Sequence, residues 1–306
     1  MSTTRHLLSL QDMPRERIVR LLDLAEDFRA RGQQRELLAG RTVLNLFFEP
    51  STRTRTSFEI AARRLGADVV NFDVSRSSTS KGESMLDTLH TLEAMQLDAL
   101  IVRHGENGMP EYLAAHARSE VSVINAGDGC HAHPTQGLLD ALTIRRHRSD
   151  FENLRVTICG DIRHSRVARS DVHALTALGA KDIRLCAPRA LLPDDLREFP
   201  DCTLVEDFDA ALQDADVVIM LRIQKERMSA ALLPSDAGYF ARYGLDARRL
   251  ALASPDCLVL HPGPINRGVE IAPEVADGPQ SRILEQVANG VFVRMAVLAE
   301  TLTLPA

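Results

Sequence analysis

The sequence predicts an α/β protein of two domains, each a parallel β-sheet flanked by helices. Three observations support this fold class. The chain has 306 residues, about twice the ~150 residues of a typical single domain. Its predicted strands are short, apolar and β-branched, as in sheets that are covered on both faces. These strands alternate with amphipathic helical segments, which is the pattern of a parallel sheet.

In the first half of the chain, the predicted helices and strands alternate regularly. Apolar residues recur at helical spacing from Pro14 to Arg31, and Asp12 with Pro14 suits a helix start. Four strand segments follow, at 42–48, 68–72, 99–102 and 121–125. The helices that alternate with them are predicted at about 52–65, 83–95, 110–118 and 134–146.

The polar stretch 147–153 is expected to link two domains, because the same alternation restarts after it. The segments of this second series are 155–159, 165–178, 182–186, 203–205, 209–213 and 216–221, followed by a buried strand at 257–260. A long helix at 281–302 carries an apolar face. We therefore place one domain at 1–147 and a second at 148–282.

Composition and charge exclude several classes of protein. Hydrophobic residues make up 45% of the chain and charged residues 25%, which argues against disorder and against a coiled coil. With 36 Lys+Arg against 42 Asp+Glu and no Trp, the chain lacks the basic surface and the stacking aromatics of a protein that binds nucleic acid. No apolar run approaches the ~18 residues that a membrane span needs. Five widely spaced cysteines indicate reduced thiols and a cytoplasmic protein.

The loop after the first predicted strand is unusually polar. Parallel sheets bind their ligands in the loops at the carboxyl ends of their strands. This first loop contains Ser51, Thr52, Arg53 and Thr54 at a predicted helix start. Hydroxyl groups, a guanidinium and the first backbone N–H groups of a helix together suit a phosphate. Capping alone would explain one hydroxyl residue but not the run. Arg55 points to a different helix face and is interpreted as structural.

The chain lacks the G-x-x-x-x-G-K loop and the G-x-G-x-x-G loop, which argues against a P-loop NTPase and a dinucleotide-binding enzyme. Further candidates lie at later strand ends. His133 and Gln136 are predicted at the mouth of a helix, and Arg103 closes a buried strand, where a cation requires an anion. That anion is either a salt-bridge carboxylate or a ligand. Cys130, His131 and His133 invite a metal interpretation, but a zinc pattern would need a second half.

Arg166 and Arg222 each follow a strand of the second domain. Two guanidinium groups from separate strand ends suit a dicarboxylate, because bidentate contacts fix each carboxylate tightly. A substrate that ends in an ammonium group would need an acidic pocket instead.

The segment S-T-R-T-R-T-S-F-E at 51–59 resembles the carbamoyl-phosphate signature of the aspartate and ornithine carbamoyltransferases. The resemblance covers essentially the whole chain, through further motifs at 77–84, 102–104, 125–136, 160–166, 222–227 and 261–268. It is closest to the aspartate branch. It implies transfer of a carbamoyl group from carbamoyl phosphate to the α-amine of L-aspartate, which gives N-carbamoyl-L-aspartate and phosphate in pyrimidine biosynthesis.

The resemblance also implies a role for each matching residue. Carbamoyl phosphate would be bound by Ser51, Thr52, Arg53, Thr54, Arg103, His133, Gln136, Gly263 and Pro264. The catalytic residues among these would be Arg53, Thr54, Arg103 and His133. Aspartate would be bound by Lys81, Arg166, Arg222 and Gln224. Domain closure would involve Glu49 and Arg227, together with Arg166.

The turn at 261–264 is His-Pro-Gly-Pro, whereas the ornithine branch carries H-C-L-P and aspartate enzymes carry H-P-L-P-R. Aspartate is therefore favoured, although Gly263 replaces a leucine and the role of Arg267 is left open. Two alternatives are retained: a carbamoyltransferase for another amino acid or diamine, and a non-catalytic relative.

The resemblance implies no metal and no organic cofactor. It implies a homotrimer in which the loop with Lys81 reaches a neighbouring subunit's site, and a C-terminal helix, about 283–306, that packs back on the N-terminal domain. The departing phosphate could accept the proton of the amine. Whether a regulatory chain or a dihydroorotase-like partner joins the trimer is left open.

Overall fold

The computed structural model describes residues 5–73, 84–224 and 235–303. The chain divides into two compact units: residues up to Leu139 together with those from Ala288 onward, and Asp140–Val287. Both divisions fall inside helices. The domain boundaries predicted from the sequence, at 147/148 and 282/283, stay predictions.

The first unit contains a sheet of four parallel strands in the order β2-β1-β3-β4. The strands are β1 Thr42–Phe47, β2 Asp68–Asp73, β3 Ala99–His104 and β4 Ser122–Asp128. The helices that alternate with them are α1 Arg15–Arg31, α2 Thr52–Leu65, α3 Met85–Ala94, α4 Met109–His116 and α5 Pro134–His147. The residues of α5 from Asp140 onward belong to the second unit. The side chains of β1, β3 and β4 are largely buried because helices cover the sheet.

The second unit contains five parallel strands in the order β7-β6-β5-β8-β9. The strands are β5 Arg155–Cys159, β6 Asp182–Cys186, β7 Cys202–Val205, β8 Val217–Met220 and β9 Leu258–Leu260. The helices are α6 Arg166–Leu178, α7 Phe208–Leu212, α8 Asp236–Tyr243, α9 Ala247–Leu250 and α10 Pro273–Ala276, with a 3₁₀ turn at Arg189–Leu191. Helix α11, Ile283–Thr303, begins in this unit, and its residues from Ala288 onward belong to the first unit. The predicted class, two parallel-sheet α/β units, is confirmed.

The C-terminal part of α11 packs on helices of the first unit, as predicted. The Arg17 guanidinium of α1 lies 2.9 Å from the Glu300 carboxylate. The Arg294 guanidinium lies 5.0 Å from the centroid of the Phe58 ring on α2. These contacts tie the end of the chain to elements close to its beginning.

The predicted element bounds agree with the structure to within about three residues, and α2 agrees at both ends. Helix α3 begins at Met85 rather than at 83, because the Ser84 hydroxyl accepts the Asp87 N–H as an N-cap. Helices α8, α9 and α10 were not predicted. Each is eight residues or shorter, too short for a hydrophobic period to stand out.

All five cysteines are free thiols. Burial raises the pKa of both Cys202 and Cys257 to about 12, which keeps these thiols protonated at neutral pH. Across 5–73, 84–224 and 235–303, no helix combines the length and the apolar character that a membrane crossing requires.

Candidate active site

Three adjacent strands of the first unit bring those predicted carbamoyl-phosphate residues that lie between Ser51 and Gln136 to one sheet edge. Strand β1 leads into Ser51 and α2, β3 ends at His104 just after Arg103, and β4 ends at Asp128 ahead of His133. The register places Phe47 beside Arg103 and His104 beside Asp128. Because the strands are parallel, their carboxyl ends share an edge. The structure therefore gathers these residues as expected.

The N-terminus of α2 has the character of an anion site. Ser51 is its N-cap residue in an extended conformation, followed by exposed Thr52 and Arg53 and by buried Thr54. The first N–H groups of a helix have no intrahelical acceptor, and the helix dipole is positive there. Within the described first turn of α2, no side chain is acidic. The N-terminus of α2 thus presents hydroxyl groups and a guanidinium rather than an acidic side chain.

The Arg103 side chain is only 14% exposed and contacts oxygen atoms of the neighbouring described residues. Its Nε lies 3.3 Å from Oε2 of Glu49, and its Nη1 donates to the Ala126 carbonyl at 3.3 Å. The sequence is compatible with either of two anions beside Arg103, a carboxylate of the protein or a bound ligand. The structure contains the salt bridge to Glu49. A phosphate would offer Arg103 a similar anionic oxygen.

His133 and Gln136 lie at the start of α5, where both side chains are buried. The Gln136 N–H donates to the His133 carbonyl at 2.9 Å, which closes the first turn. Thr135 lies between them and was missed by the sequence analysis. Its buried Oγ1 has no hydrogen-bond partner among the residues that the structure describes. Its place inside the H-P-T-Q motif was the available signal.

Asp128 fixes the loop that precedes His133. Its carboxylate accepts hydrogen bonds from the Gly108 N–H at 2.7 Å, the Asn125 side chain at 2.7 Å and the Ala132 N–H at 3.1 Å. His131 Nδ1 lies 2.9 Å away. Burial alone would raise the pKa of Asp128, but these hydrogen bonds outweigh it, so the pKa lies below its usual value.

The metal interpretation of Cys130, His131 and His133 gains little from the geometry. In the described part of the chain, the potential ligand atoms that cluster within 4.8 Å belong to Glu111, Asp128 and His131. Only His131 is common to both sets. Because the oxygens of Asp128 already accept several hydrogen bonds, we interpret this group as a structural clamp on the loop.

The second unit brings Arg166 and Arg222 to the same edge of its sheet. Arg166 opens α6 after β5, and Arg222 follows β8, the strand beside β5. The Ser165 hydroxyl accepts the Ala168 N–H at 3.0 Å and so caps α6. Gln224 Nε2 donates to the His164 carbonyl at 3.1 Å, which ties the segment after β8 to the loop after β5.

Asp161, in the same loop, is completely buried and was not singled out by the sequence analysis. Its Oδ1 accepts from the His164 N–H at 3.2 Å and lies 2.9 Å from the His164 ring Nδ1. Burial raises the pKa of Asp161, and hydrogen bonds from His164 and from the Gln224 backbone oppose that effect. Its signal was the G-D pair after β5.

The turn after β9 has a backbone that explains its glycine. Gly263 has φ +68°, in the left-handed region where a leucine side chain would be strained, and the Gly263–Pro264 bond is cis. The Gly263 N–H donates to His261 Nδ1 at 2.8 Å. Arg267 forms an exposed salt bridge with Asp277 at 2.7 Å, which gives it a structural partner.

Two predicted site residues, Lys81 and Arg227, lie outside the described residues, and their roles stay predictions. The roles assigned to the other residues by resemblance also stay predictions.

Two family descriptions match the sequence. Residues 5–146 match the carbamoyl-P binding domain, and residues 152–301 the Asp/Orn binding domain, of the aspartate/ornithine carbamoyltransferases. Together with the fold and the two sets of strand-end residues, these matches define the protein as a carbamoyltransferase. The chain belongs to the aspartate/ornithine carbamoyltransferase family.

Solved structures of both branches resemble the chain. Aspartate transcarbamoylase from Trypanosoma cruzi, in complex with carbamoyl aspartate and phosphate, is 33% identical, with 97% of this chain and 96% of that chain covered and a TM-score of 0.87. The same enzyme with N-(phosphonacetyl)-L-aspartic acid is 34% identical, with 97% and 95% covered and a TM-score of 0.87. Ornithine carbamoyltransferase from Thermus thermophilus is 28% identical, with 98% and 99% covered and a TM-score of 0.87.

Proposed function

We propose that the protein transfers the carbamoyl group of carbamoyl phosphate to the α-amine of L-aspartate, in pyrimidine biosynthesis. The observation that carries this proposal is the placement of Arg166 and Arg222 after the neighbouring strands β5 and β8. Two guanidinium groups at one sheet edge match the two carboxylates of aspartate. Gln224, tied to the His164 carbonyl, adds a polar contact at the same edge.

In this proposal, the first unit binds carbamoyl phosphate. Ser51, Thr52, Arg53 and Thr54 hold the phosphate at the N-terminus of α2, where hydroxyl groups and backbone N–H groups converge. The buried surroundings of Thr54 and His133 support their proposed role, because a donor is worth more where water is excluded.

The chemistry follows from the charge that develops during transfer. Attack of the α-amine on the carbamoyl carbon creates a tetrahedral oxyanion, to which Thr54, Arg103 and His133 donate hydrogen bonds. Gln136 and the backbone of Gly263 and Pro264 orient the amide group. Phosphate then leaves with the electron pair of the C–O bond and accepts the proton of the amine. Carbamoyl phosphate carries its own leaving group, so no metal or organic cofactor is required.

Ornithine is the second candidate substrate, because ornithine carbamoyltransferases from Thermus thermophilus and Pyrococcus furiosus are 28% and 29% identical to the chain. Ornithine ends in an ammonium group, which needs an acidic partner. Near Arg166, the described loop contains the buried carboxylate Asp161, and His164 already occupies one of its oxygens. Because Oδ2 of Asp161 has no hydrogen-bond partner among the described residues, the preference for aspartate rests on Arg166 and Arg222 and not on Asp161.

Assembly and localisation complete the proposal. A cytoplasmic homotrimer, with Lys81 completing a neighbouring subunit's site, is the assembly that the family resemblance supports. Closure through Glu49, Arg166 and Arg227 also stays a prediction.

The proposal is tested by comparing Arg53→Ala with Arg222→Ala in turnover and in phosphate binding. Arg53→Ala is expected to abolish measurable carbamoyl transfer and phosphate binding, because it removes a charge from the phosphate site. Arg222→Ala is expected to bind phosphate normally and to raise the KM for aspartate on the order of tenfold to a hundredfold, the effect of one lost charged hydrogen bond.

Each variant has a matched control. Arg55→Ala removes an exposed guanidinium two residues further along α2. Arg155→Ala removes an exposed guanidinium at the opposite end of β5, where it pairs with Asp214 at 3.4 Å. Both controls are expected to retain wild-type kinetics. Equal loss of phosphate binding in Arg53→Ala and Arg222→Ala would contradict the assignment of the two sites.

A further inference from the structure

Two buried carboxyl groups face each other in the second unit, away from the residues assigned above. Asp140 lies on α5 and Asp171 on α6, and each is 1% exposed. Both oxygens of Asp171 are buried, and no donor N–H or O–H from the described residues reaches them. The group that meets Asp171 is the carboxyl of Asp140.

Two carboxylates can form a hydrogen bond only if a proton lies between them. Burial, and then the charge of Asp140, raise the pKa of Asp171 well above its usual value. Keeping one proton on such a pair removes the cost of burying two like charges. In the geometry of the pair, Asp171 is the acid that lacks any other donor among the described residues.

From Asp140, hydrogen bonds continue toward the turn after β9. Oδ1 of Asp140 accepts from Gln286 Nε2 at 2.6 Å. Oε1 of Gln286, which is 2% exposed, accepts from the His261 N–H at 2.8 Å. The amide of Gln286 therefore has one orientation, with its NH₂ toward Asp140 and its oxygen toward His261.

The turn itself completes the path. His261 Nδ1 accepts from the Gly263 N–H at 2.8 Å, so the ring proton lies on Nε2. Nε2 then donates to Glu270 Oε1 at 3.2 Å, and the same oxygen accepts from the Asn266 N–H at 2.7 Å. His261 and Glu270 are both fully buried. The backbone of residues 261–266 is thus fixed by groups that lead back to Asp171.

We propose that Asp171 is a neutral carboxylic acid that donates its proton to Asp140, and that this pair acts through Gln286 as a positioning element for the turn 261–264. The link to substrate rests on the proposed function, in which that turn contacts carbamoyl phosphate. Asp171 keeps Asp140 an acceptor. If this donor is removed and Asp140 stays charged, Asp140 loses one hydrogen bond. If Asp140 instead becomes protonated, it can donate to the amide oxygen of Gln286, which favours a flipped amide. The NH₂ group of the flipped amide would then face the His261 N–H, and two donors would oppose each other.

The protonation of Asp171 is tested by infrared difference spectroscopy of the wild-type protein minus Asp171→Asn at neutral pH. The carbonyl stretch of a protonated carboxylic acid is expected in the wild type, shifted in D₂O and lost in the variant. Subtracting the variant removes any signal from other carboxyl groups. Absence of the band from the difference spectrum would overturn the inference, whatever reaction the enzyme catalyses.

The positioning role is tested by kinetics of three variants. Asp171→Asn retains a donor to Asp140 and is expected to keep the wild-type KM for carbamoyl phosphate within a factor of about two. Asp171→Leu and Gln286→Leu break the path at different points. Each is expected to raise that KM on the order of tenfold, the effect of one lost hydrogen bond, with the KM for the amino acid nearly unchanged.

Thr157→Val is the matched control, because it deletes another buried hydrogen bond of the same unit, from Thr157 Oγ1 to the Ala211 carbonyl at 2.6 Å. It is expected to lower stability and leave both KM values unchanged. A wild-type KM in Gln286→Leu would overturn the positioning role even if Asp171→Leu fails to fold. Wild-type protein that is inactive with every amino acid would refute the proposed function, while the infrared result would still decide the state of Asp171.

Discussion

Arg103 and Glu49 form the ion pair of the first unit that bears most directly on the proposed phosphate site. Their side chains are 14% and 24% exposed, and the ion pair spans 3.3 Å. A phosphate that approaches Arg103 offers the same kind of oxygen as Glu49 does. We infer that the carboxylate and the phosphate compete for this guanidinium.

Glu49→Gln is therefore expected to tighten binding of inorganic phosphate about twofold to fivefold, because removal of a partly exposed ion pair frees less than about 1 kcal/mol. Isothermal titration calorimetry measures the change. Glu59→Gln is the control: it neutralises a carboxylate of α2 that pairs with Arg63 at 3.1 Å, and binding should stay unchanged. Weaker phosphate binding in Glu49→Gln would mean that Glu49 positions Arg103 rather than competing for it.

At the residue scale, the sequence predicted the site where chemistry is concentrated in a motif. The run 51–54 and the two second-unit arginines are candidates because each lies in the segment that follows an apolar strand. Asp128 and Asp140 were not singled out because each has a partner that is distant in sequence. Asp128 bonds to the Gly108 N–H, and Asp140 bonds to Gln286, 146 positions away. No local pattern contains such pairs.

Among the elements, helix α6 presents a predicted aspartate-binding residue at its first position. Arg166 follows the N-cap Ser165, whose buried hydroxyl accepts the Ala168 N–H at 3.0 Å. The cap fixes the direction in which the helix leaves the β5 loop. The orientation of Arg166 therefore depends on a hydroxyl group next to it in sequence.

Ser165→Ala is expected to lower the free energy of unfolding by about 1 kcal/mol, the usual cost of a lost N-cap, and also to raise the KM for aspartate. Urea unfolding and steady-state kinetics measure the two effects. Asp246→Ala removes the N-cap of α9, where Asp246 accepts the Arg249 N–H at 2.8 Å. This control should lose similar stability with no change in KM. An unchanged KM for aspartate in Ser165→Ala would show that the N-cap of α6 does not position Arg166 for substrate.

Element type was predictable where the hydrophobic pattern is long. Helices α1 and α2 present periodic apolar faces of 17 and 14 residues, and strands β5 and β6 lie where they were predicted. Short helices lack such a period: α9 begins at the capping side chain of Asp246, and α10 begins with no side-chain cap. Their formation is decided by tertiary packing rather than by local periodicity.

For the whole molecule, the buried carboxyl pair makes stability depend on pH in a defined direction. The folded state retains a proton on Asp171, whose pKa is raised by burial and by Asp140. The unfolded chain loses that proton above about pH 4. The contribution of Asp171 to the free energy of unfolding is therefore highest below that pH. It falls as pH rises, by about 1.4 kcal/mol per pH unit, until the folded pKa is reached.

Asp171→Asn lacks this proton, so its unfolding free energy should increase relative to that of the wild type between about pH 5 and about pH 8. Urea unfolding across that range measures the difference. Asp128 does not interfere: its lowered pKa adds stability above the usual aspartate pKa, which is lost only as pH falls through the folded value. Parallel pH profiles for wild type and Asp171→Asn would show that Asp171 is ionised in the folded protein.

The two-unit α/β architecture was predictable from the sequence because parallel sheets impose both a strand pattern and a helix pattern on the chain. The preferred amino acid is a finer property, since it depends on a few side chains after β5, β8 and β9. Family membership is shared by aspartate and ornithine enzymes alike. The proposal for aspartate rests on the charge argument from Arg166 and Arg222.

The most direct test of that argument is a turnover assay with carbamoyl phosphate and either L-aspartate or L-ornithine on the purified chain, comparing kcat/KM for the two amino acids. We expect N-carbamoyl-L-aspartate and phosphate to form in equal amounts, with no carbamoylation of ornithine. Carbamoylated ornithine with no reaction of aspartate would contradict the assignment of Arg166 and Arg222 to a dicarboxylate.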